Sequence, residues 1–399
     1  AAPHAVKWQI PLLAKLRAAG VPLEGLTIGA GVPSLEVATR YINELGLRHM
    51  GFKPGTLPAI YQVLDIASAH PTFPILLQWT GGRGGGHHSF EDFHQPILQA
   101  YDAIRRCENV ILVGGSGFGG VQDTFPYLTG DWAYRYNRPP MPFDGILLGS
   151  RLMTAKEAHT SPAVKQAIVI APGVEDEGDW EQTYTQPAGG IMTVTSEMGE
   201  PIHKLATRGV QLWAELDRNV FSLDRSKRVA YLQRHRDYLI QRLNTDSVKV
   251  WFGCDAQGSV VDLEEMTYAE VLRRFVALTY VSAEGRWIDD SYRLFLQDFL
   301  KRVEARIGDV APGPGPSEVN GDEALADPTT ALNAILKRLP TAEAQLIGTQ
   351  DAEYFLLLCQ RRGTKPVPFV PILDENFETY FKKDSLWQSE DLAAVADAD

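Results

Sequence analysis

Two hydrophobic periods alternate along the chain as far as about residue 172. Short apolar runs at Leu26 to Gly31, His49 to Lys53, Pro74 to Trp79, Asn109 to Val113 and Gly145 to Leu148 predict strands. Between them apolar residues return at helical spacing. Pro33 and Ser34 open a helix to about Leu45, with Leu35, Ala38, Ile42 and Leu45 on one face. Further helices are predicted over Ile10 to Leu16, Thr56 to Ala69, Phe90 to Arg106 and Ala155 to Ala171. The alternation makes five βα units, which implies an α/β fold with a parallel sheet covered by helices and functional groups at strand C-termini.

From residue 173 the pattern is mainly helical. Gly189 to Val194 predicts a short strand, and Ile202, Leu205, Gly209, Leu212 and Leu216 predict one helix over Pro201 to Leu216. A long helix is expected over Arg225 to Leu243, an extended piece over Val248 to Phe252, and a helix over Thr267 to Leu278 whose Thr267 and Glu270 fit a capping box. Residues 308–330, with Ala311-Pro-Gly-Pro-Gly-Pro316, read as a flexible linker. Helices follow near Ala331 to Arg338, Thr341 to Ile347 and Asp351 to Cys359, then the proline-spaced extended run Lys365 to Pro371. The expected regions are therefore 1–172, 173–307, the linker 308–330, and 331–399.

Composition narrows the function classes. The 38 basic and 50 acidic residues leave a net charge of −12, which argues against a nucleic-acid or membrane-surface binder. Cys107, Cys254 and Cys359 are far apart and suit a reducing compartment, with no disulfide and no metal centre expected. No apolar run approaches the roughly 20 residues that cross a bilayer. The start Ala1-Ala2-Pro3-His4 lacks an initiator methionine, so the expectation is a soluble piece excised from a longer protein.

The chemistry concentrates in glycine loops after strands. Gln78 to Ser89 holds five glycines beside Arg83, His87 and His88, so a ligand can lie against bare backbone while imidazole delivers a proton. It is not a Walker A loop, because histidines follow Gly86 where Lys and Ser or Thr are required. Gly115 to Gly120 matches Gly-x-Gly-x-x-Gly, but the next strand ends Leu148-Gly149-Ser150-Arg151, without the acidic residue a Rossmann ribose site uses. The two consecutive turns instead look like the paired phosphate site of a (β/α)8 barrel. His94 is expected to cap or pack the following helix. His203, Lys204 and Arg208 are expected on a solvated helical face, with contact to a nucleotide phosphate as the alternative.

Leu26 to Ser34, the loop Gln78 to Ser89 with Phe90 to His94, Ser116 to Gly120, Pro142 to Arg151, Ser196 to Arg208 and Lys365 to Pro371 closely resemble the enoyl reductase region of the fungal-type fatty acid synthase β subunit. The resemblance implies an FMN-binding TIM barrel with a helical companion region, in which NADPH serves to reduce the trans-2-enoyl chain on acyl carrier protein. It maps the five units onto barrel strands four to eight. The family's earlier strands, with a Gly-Met-Thr-Pro loop, have no match, and the family chain runs on past residue 399 toward its dehydratase region.

The resemblance also implies roles. His87 would protonate the substrate's α-carbon, with His88 as the competing choice. Lys53 and Gln78 would touch the flavin ring or ribityl chain, and Gly85 and Gly86 would leave room for the ring. Gly115, Ser116, Gly117, Gly149 and Ser150, with Arg151, would hold the FMN phosphate. The implied setting is a large cytoplasmic hetero-oligomer with the α subunit and acyl carrier protein as partners. Two other readings stand beside it: an FMN oxygenase of the nitronate-oxidising type, and a non-catalytic scaffold segment.

Overall fold

A computed structural model of the chain describes residues 6–29, 31–82, 84, 86–174, 177–196, 201–307, 325–361 and 366–382, without the side chains of 6–9, 87 and 177. It divides into two compact units. The first comprises the described residues of Ala1–Ala158, Ala171–Thr193 and Pro201–Lys204, and the second those of His159–Ile170, Val194–Glu200 and Leu205–Asp399.

The first unit contains β1 (Gly25–Ile28), β2 (His49–Phe52), β3 (Ile75–Trp79), β4 (Gly86–His87), β5 (Val110–Gly114) and β6 (Gly145–Ile146), and is joined by β7 (Ile191–Thr195) and β8 (Pro201–Leu205). β1, β2, β3, β5 and β6 lie side by side in that order and all run parallel. Leu77 pairs with Leu112, and Trp79 with Gly114. The helices Leu57–Ala69 and Gln95–Arg106 bury Ile60, Val63, Ile66, Ile97, Ala100 and Ile104 in one cluster with Met50, Phe52, Ile75, Leu77, Trp79 and Leu112. Each buried Val, Leu, Ile, Met or Phe among them contributes roughly 1.5–3 kcal/mol. The sheet's other face carries Thr27, Leu76, Gln78, Ile111 and Val113, half-buried or exposed, so helices seal only one side of these strands. Asn109 ties the helix end to β5: its amide donates to the carbonyls of Ala67, His70 and Phe73 at 3.1, 2.9 and 2.9 Å.

The five predicted strands and their order are present, and several predicted helices are corrected. Helix Gln95–Arg106 starts later than Phe90 because the Asp92 carboxylate takes the amides of His94 and Gln95 at 2.9 and 2.7 Å. The expected helix 155–171 is replaced by the short helix Ser150–Met153 and the helix Pro162–Ile170, whose start Ser161 caps. Pro201 to Leu216 is not one helix. Pro201–Leu205 is strand β8, and Thr207 accepts the Val210 amide at 3.3 Å to begin Arg208–Leu216.

In the second unit, the long helix expected from Arg225 breaks at His235 into Arg225–Arg234 and Arg236–Asp246. Thr267 and Glu270 form the expected capping box of Tyr268–Thr279. Residues 308–324 lie outside the described residues, while helix Pro328–Arg338, capped by Asp327, already begins inside the expected linker. Thr341 to Ile347 shows only the 3₁₀ turn Pro340–Glu343. Phe369–Val370 pairs in parallel with Val250–Trp251, so the proline-spaced run becomes a buried strand of a two-stranded sheet. It packs Phe369 against Phe252, with ring centroids 4.6 Å apart, in a core shared with Phe275 and Phe355.

Asp351 is the buried polar anchor of this unit. It accepts from Tyr268 at 2.5 Å, from Arg306 at 3.0 Å and from Arg302. Burial raises its carboxyl, but the hydrogen bonds from Arg306, Tyr268 and Arg302 outweigh that and hold it below the ordinary carboxylate range. A depressed folded-state value contributes stability above the unfolded carboxylate's range, lost as pH falls through the folded one. Asp351→Asn should therefore lower the unfolding free energy in urea by roughly 2–3 kcal/mol at pH 7, and the gap between variant and wild type should close on acidification below the carboxylate range.

Candidate active site

Parallel strands send their C-termini to one side. Lys53 follows β2, Gln78 lies near the end of β3, and the turns from Gly115 and Gly149 follow the neighbouring strands β5 and β6. The Gly115 amide donates to the Trp79 carbonyl at 2.9 Å, and Leu147 to Gly114 at 2.8 Å, so the ladder continues into the turns. What the Gly115 turn offers a ligand therefore comes from the residues after it. The Ser116 hydroxyl is buried and donates to Gly81 at 3.2 Å, and Gly117 takes φ +67° in the left-handed region. Asp123 accepts the Gly120 amide at 2.9 Å, which puts a carboxylate where a Rossmann turn would receive pyrophosphate. Gly149 has open space around its α-carbon, and Ser150 and Arg151 are exposed.

The glycine-rich loop is anchored from below. Trp79 Nε1 donates to the Phe93 carbonyl at 2.7 Å, and Gly82 donates to Glu91 at 2.9 Å. A side chain on Gly81 would stand 2.4 Å from the Phe93 α-carbon, and one on Gly84 2.6 Å from Thr80 Cγ2. On Gly115 it would be 3.2 Å from both Gln78 Nε2 and Thr80 Oγ1. Gly81 lets its backbone meet that of Phe93, and Gly84 and Gly115 make room for the Thr80 and Gln78 side chains. His94 is a packing residue: its ring is buried, with Nε2 2.9 Å from the Tyr127 hydroxyl, and it makes no side-chain cap.

The loop is held from above by β8. Gly86 pairs with His203 and His87 with Ile202, antiparallel, in a sheet ordered β4-β8-β7. His203 is thus not on a solvated helical face. Its ring is buried, Nε2 donates to the Gly82 carbonyl at 2.9 Å, and Nδ1 lies 2.7 Å from Thr193 Oγ1. The His88 ring stacks on it, with centroids 3.7 Å apart and planes within 10°. His88 Nε2 also lies 3.3 Å from the Tyr184 hydroxyl. Burial first, then the charge of His88, pushes His203 down to about 4, against an upward pull from its bond to Gly82. Trp180 lies 4.6 Å from His203 between centroids, and its buried indole N–H has no acceptor among the described residues.

Of the residues singled out in the sequence, Lys53, Gln78, Gly115 to Gly117, Gly149 and Ser150 gather at one end of the sheet, and His88 joins His203. Gly85 and the His87 side chain lie outside the described residues. Thr193, Thr183, Trp180 and Tyr184 were not foreseen as site residues, and His203 was foreseen only as an alternative contact to a nucleotide phosphate. The available signal was Thr207, a helix cap that ends any strand or helix before it. Among the described residues no group of three His, Cys, Asp or Glu side chains could hold a metal ion, and no helix is long and apolar enough to cross a membrane.

Residues 74–399 match the family described as fatty acid synthase subunit beta/Fas1-like, helical. The chain is 57% identical over 399 residues to the fatty acid synthase beta subunit pigK of Monascus ruber, covering 100% of this chain and 20% of that protein. It is 57% identical over 396 residues to the fatty acid synthase beta subunit TOXC of Cochliobolus carbonum, covering 99% and 19%. The fatty acid synthase subunit beta of Saccharomyces cerevisiae is 53% identical over 397 residues, with 100% and 19% covered. The chain spans about one fifth of the length of these curated relatives.

The close approach at Gly81 yields a direct test. Gly81→Ala must push the loop off Phe93, and thermal or urea unfolding should show a loss of about 1–3 kcal/mol, whereas Gly149→Ala, with open space at that position, should stay within about 1 kcal/mol of wild type.

Proposed function

This chain belongs to the fatty acid synthase subunit beta/Fas1-like family, and we propose that it carries part of an enoyl reductase, which reduces a trans-2-enoyl thioester at the expense of NADPH with FMN as the flavin. The observation that carries this reading is the meeting of bare glycine turns and a stacked histidine pair around one end of a parallel sheet. We read the five strands, laid down in chain order, as a segment of a (β/α)8 barrel, whose chemistry sits at that end.

The residues present fit a flat, phosphorylated ligand. Gly149 has open space around its α-carbon, so a phosphate can approach its backbone, whereas Gly84 and Gly115 are closed by the Thr80 and Gln78 side chains and serve packing. Ser116 and Gly117, with Gly149 and Ser150, would hold the phosphate through backbone amides, and Lys53 and Gln78 would flank the ring and its chain. When bound, the flavin supplies hydride to the substrate's β-carbon. The α-carbon then requires a proton, which imidazole gives near neutral pH. His203, held down to about 4, is neutral at pH 7, and its one N–H points at Gly82. The donor in this proposal is His87, the histidine to which the family resemblance points, with His88 as the competing choice. The α subunit, acyl carrier protein and a cytoplasmic setting complete the proposal.

The test uses the full-length polypeptide assembled with its partner subunit. A flavin absorbance spectrum and stoichiometric NADPH consumption with a crotonyl thioester are expected, and their joint absence sinks the reading. His87→Ala should lower turnover by about 10²–10⁴-fold with flavin retained. Undiminished turnover in that variant, with a loss in His88→Ala, moves the proton donor to His88.

A further inference from the structure

Four short contacts in series run through His203 and end on a backbone carbonyl at each side. Gly82 O is 2.9 Å from Nε2, Nδ1 is 2.7 Å from Thr193 Oγ1, and Thr193 Oγ1 is 2.7 Å from Thr183 Oγ1. Thr183 Oγ1 is in turn 2.6 Å from the Trp180 carbonyl. Carbonyl oxygens only accept, so each contact needs a hydrogen from within the chain. A neutral imidazole brings one hydrogen and each threonine one, which leaves one contact without any. With Nε2–H committed to Gly82, Thr193 must donate to Nδ1, and Thr183 has a single hydrogen for two oxygens. An imidazolium brings the missing hydrogen. Nδ1–H then donates to Thr193, Thr193 to Thr183 and Thr183 to Trp180, by hydroxyl rotation alone.

The stack adds a second constraint. Two charged rings 3.7 Å apart repel, whereas one charged and one neutral ring do not. The uncharged indole of Trp180 and Tyr184, whose phenol is raised by burial and then by Glu181, also face the pair. Of the two influences that hold His203 down, the charge on His88 disappears once His88 is neutral, so the rings titrate as a coupled pair.

We propose that His203 is a positioning residue of the site and the proton-sharing partner of His88: the stacked rings hold one proton between them, and the Thr193–Thr183 chain is arranged to complete itself when that proton lies on His203. The step is uptake of a solvent proton by the Nδ1 lone pair, and no heavy-atom bond is made or broken. On His203 the proton also strengthens the bond that fixes Gly82, because a charged donor binds a carbonyl more tightly. The link to turnover depends on the reading of this face as a reduction site, which consumes a proton for each product. The hydrogen count does not depend on it.

Exchange of imidazole C2 hydrogens for deuterium, followed by mass spectrometry across pH in the full-length assembled polypeptide, reads the midpoint of each histidine separately. His88→Gln should raise the His203 midpoint by about one pH unit. Thr193→Val, which removes the acceptor for Nδ1–H, should lower it by about as much, and Thr193→Ser should restore the wild-type value. A His203 midpoint unmoved in His88→Gln, or one unmoved or raised in Thr193→Val, overturns the proposal. The readout needs no turnover, so a protein without enoyl reduction would lose the functional reading and leave this result standing. In protein that does reduce the substrate, Thr193→Val should displace the pH profile of kcat and Thr193→Ser should not.

Discussion

A parallel ladder has a direction, and here that direction turns separate loops into one surface. Because β1, β2, β3, β5 and β6 all point the same way, the residues that end them cannot avoid one another. Helices seal one face of the ladder with aliphatic side chains, which fixes the strand positions, while the turns beyond stay thin enough for backbone to approach backbone. Gly81 against Phe93 and Gly115 against Gln78 are consequences of that geometry. The glycines that looked like a ligand loop are, in part, the condition for three segments to meet. Contact with a ligand is left to glycines with open space around them, such as Gly149.

The second constraint comes from outside the sheet. Strand β8 reaches the loop with His203 and fixes the Gly82 carbonyl, while Phe93 stands against Gly81, so the loop is gripped by two parts of the unit far apart in sequence. A buried imidazole in that position has a cost, and the Thr193 hydroxyl, backed by that of Thr183, offsets it by taking up the second ring nitrogen. His88 lies on the same ring and shares its environment, so the chemistry open to one histidine is set partly by the protonation of the other.

The strands of the sheet were legible because each is a continuous apolar run, a pattern that needs no knowledge of its neighbours. Pro201–Leu205 was not. Ile202 and Leu205 fall in phase with Gly209, Leu212 and Leu216, so helical spacing absorbs them, and the strand depends on its pairing partners, β4 on one side and β7 on the other. The start of the Gln95 helix failed for a similar reason, since the aspartate that caps it sits inside the apparent pattern. The convergence of Lys53, Gln78, Gly115 and Gly149 could be inferred from strand order alone. The His88–His203 stack could not, because no spacing in the chain relates those two positions.

The hydrogen bond between His203 and Gly82 spans 121 positions along the chain. The βα units can form from contacts between near neighbours, but this bond requires a long loop to close, and its entropic cost falls due before any of its gain appears. Closure entropy grows only with the logarithm of loop length, so a pin drawn from this far costs about 0.6 kcal/mol more than one drawn from half the distance. A short strand from far down the polypeptide can therefore serve as a clamp on a loop near its start at little extra cost to the fold.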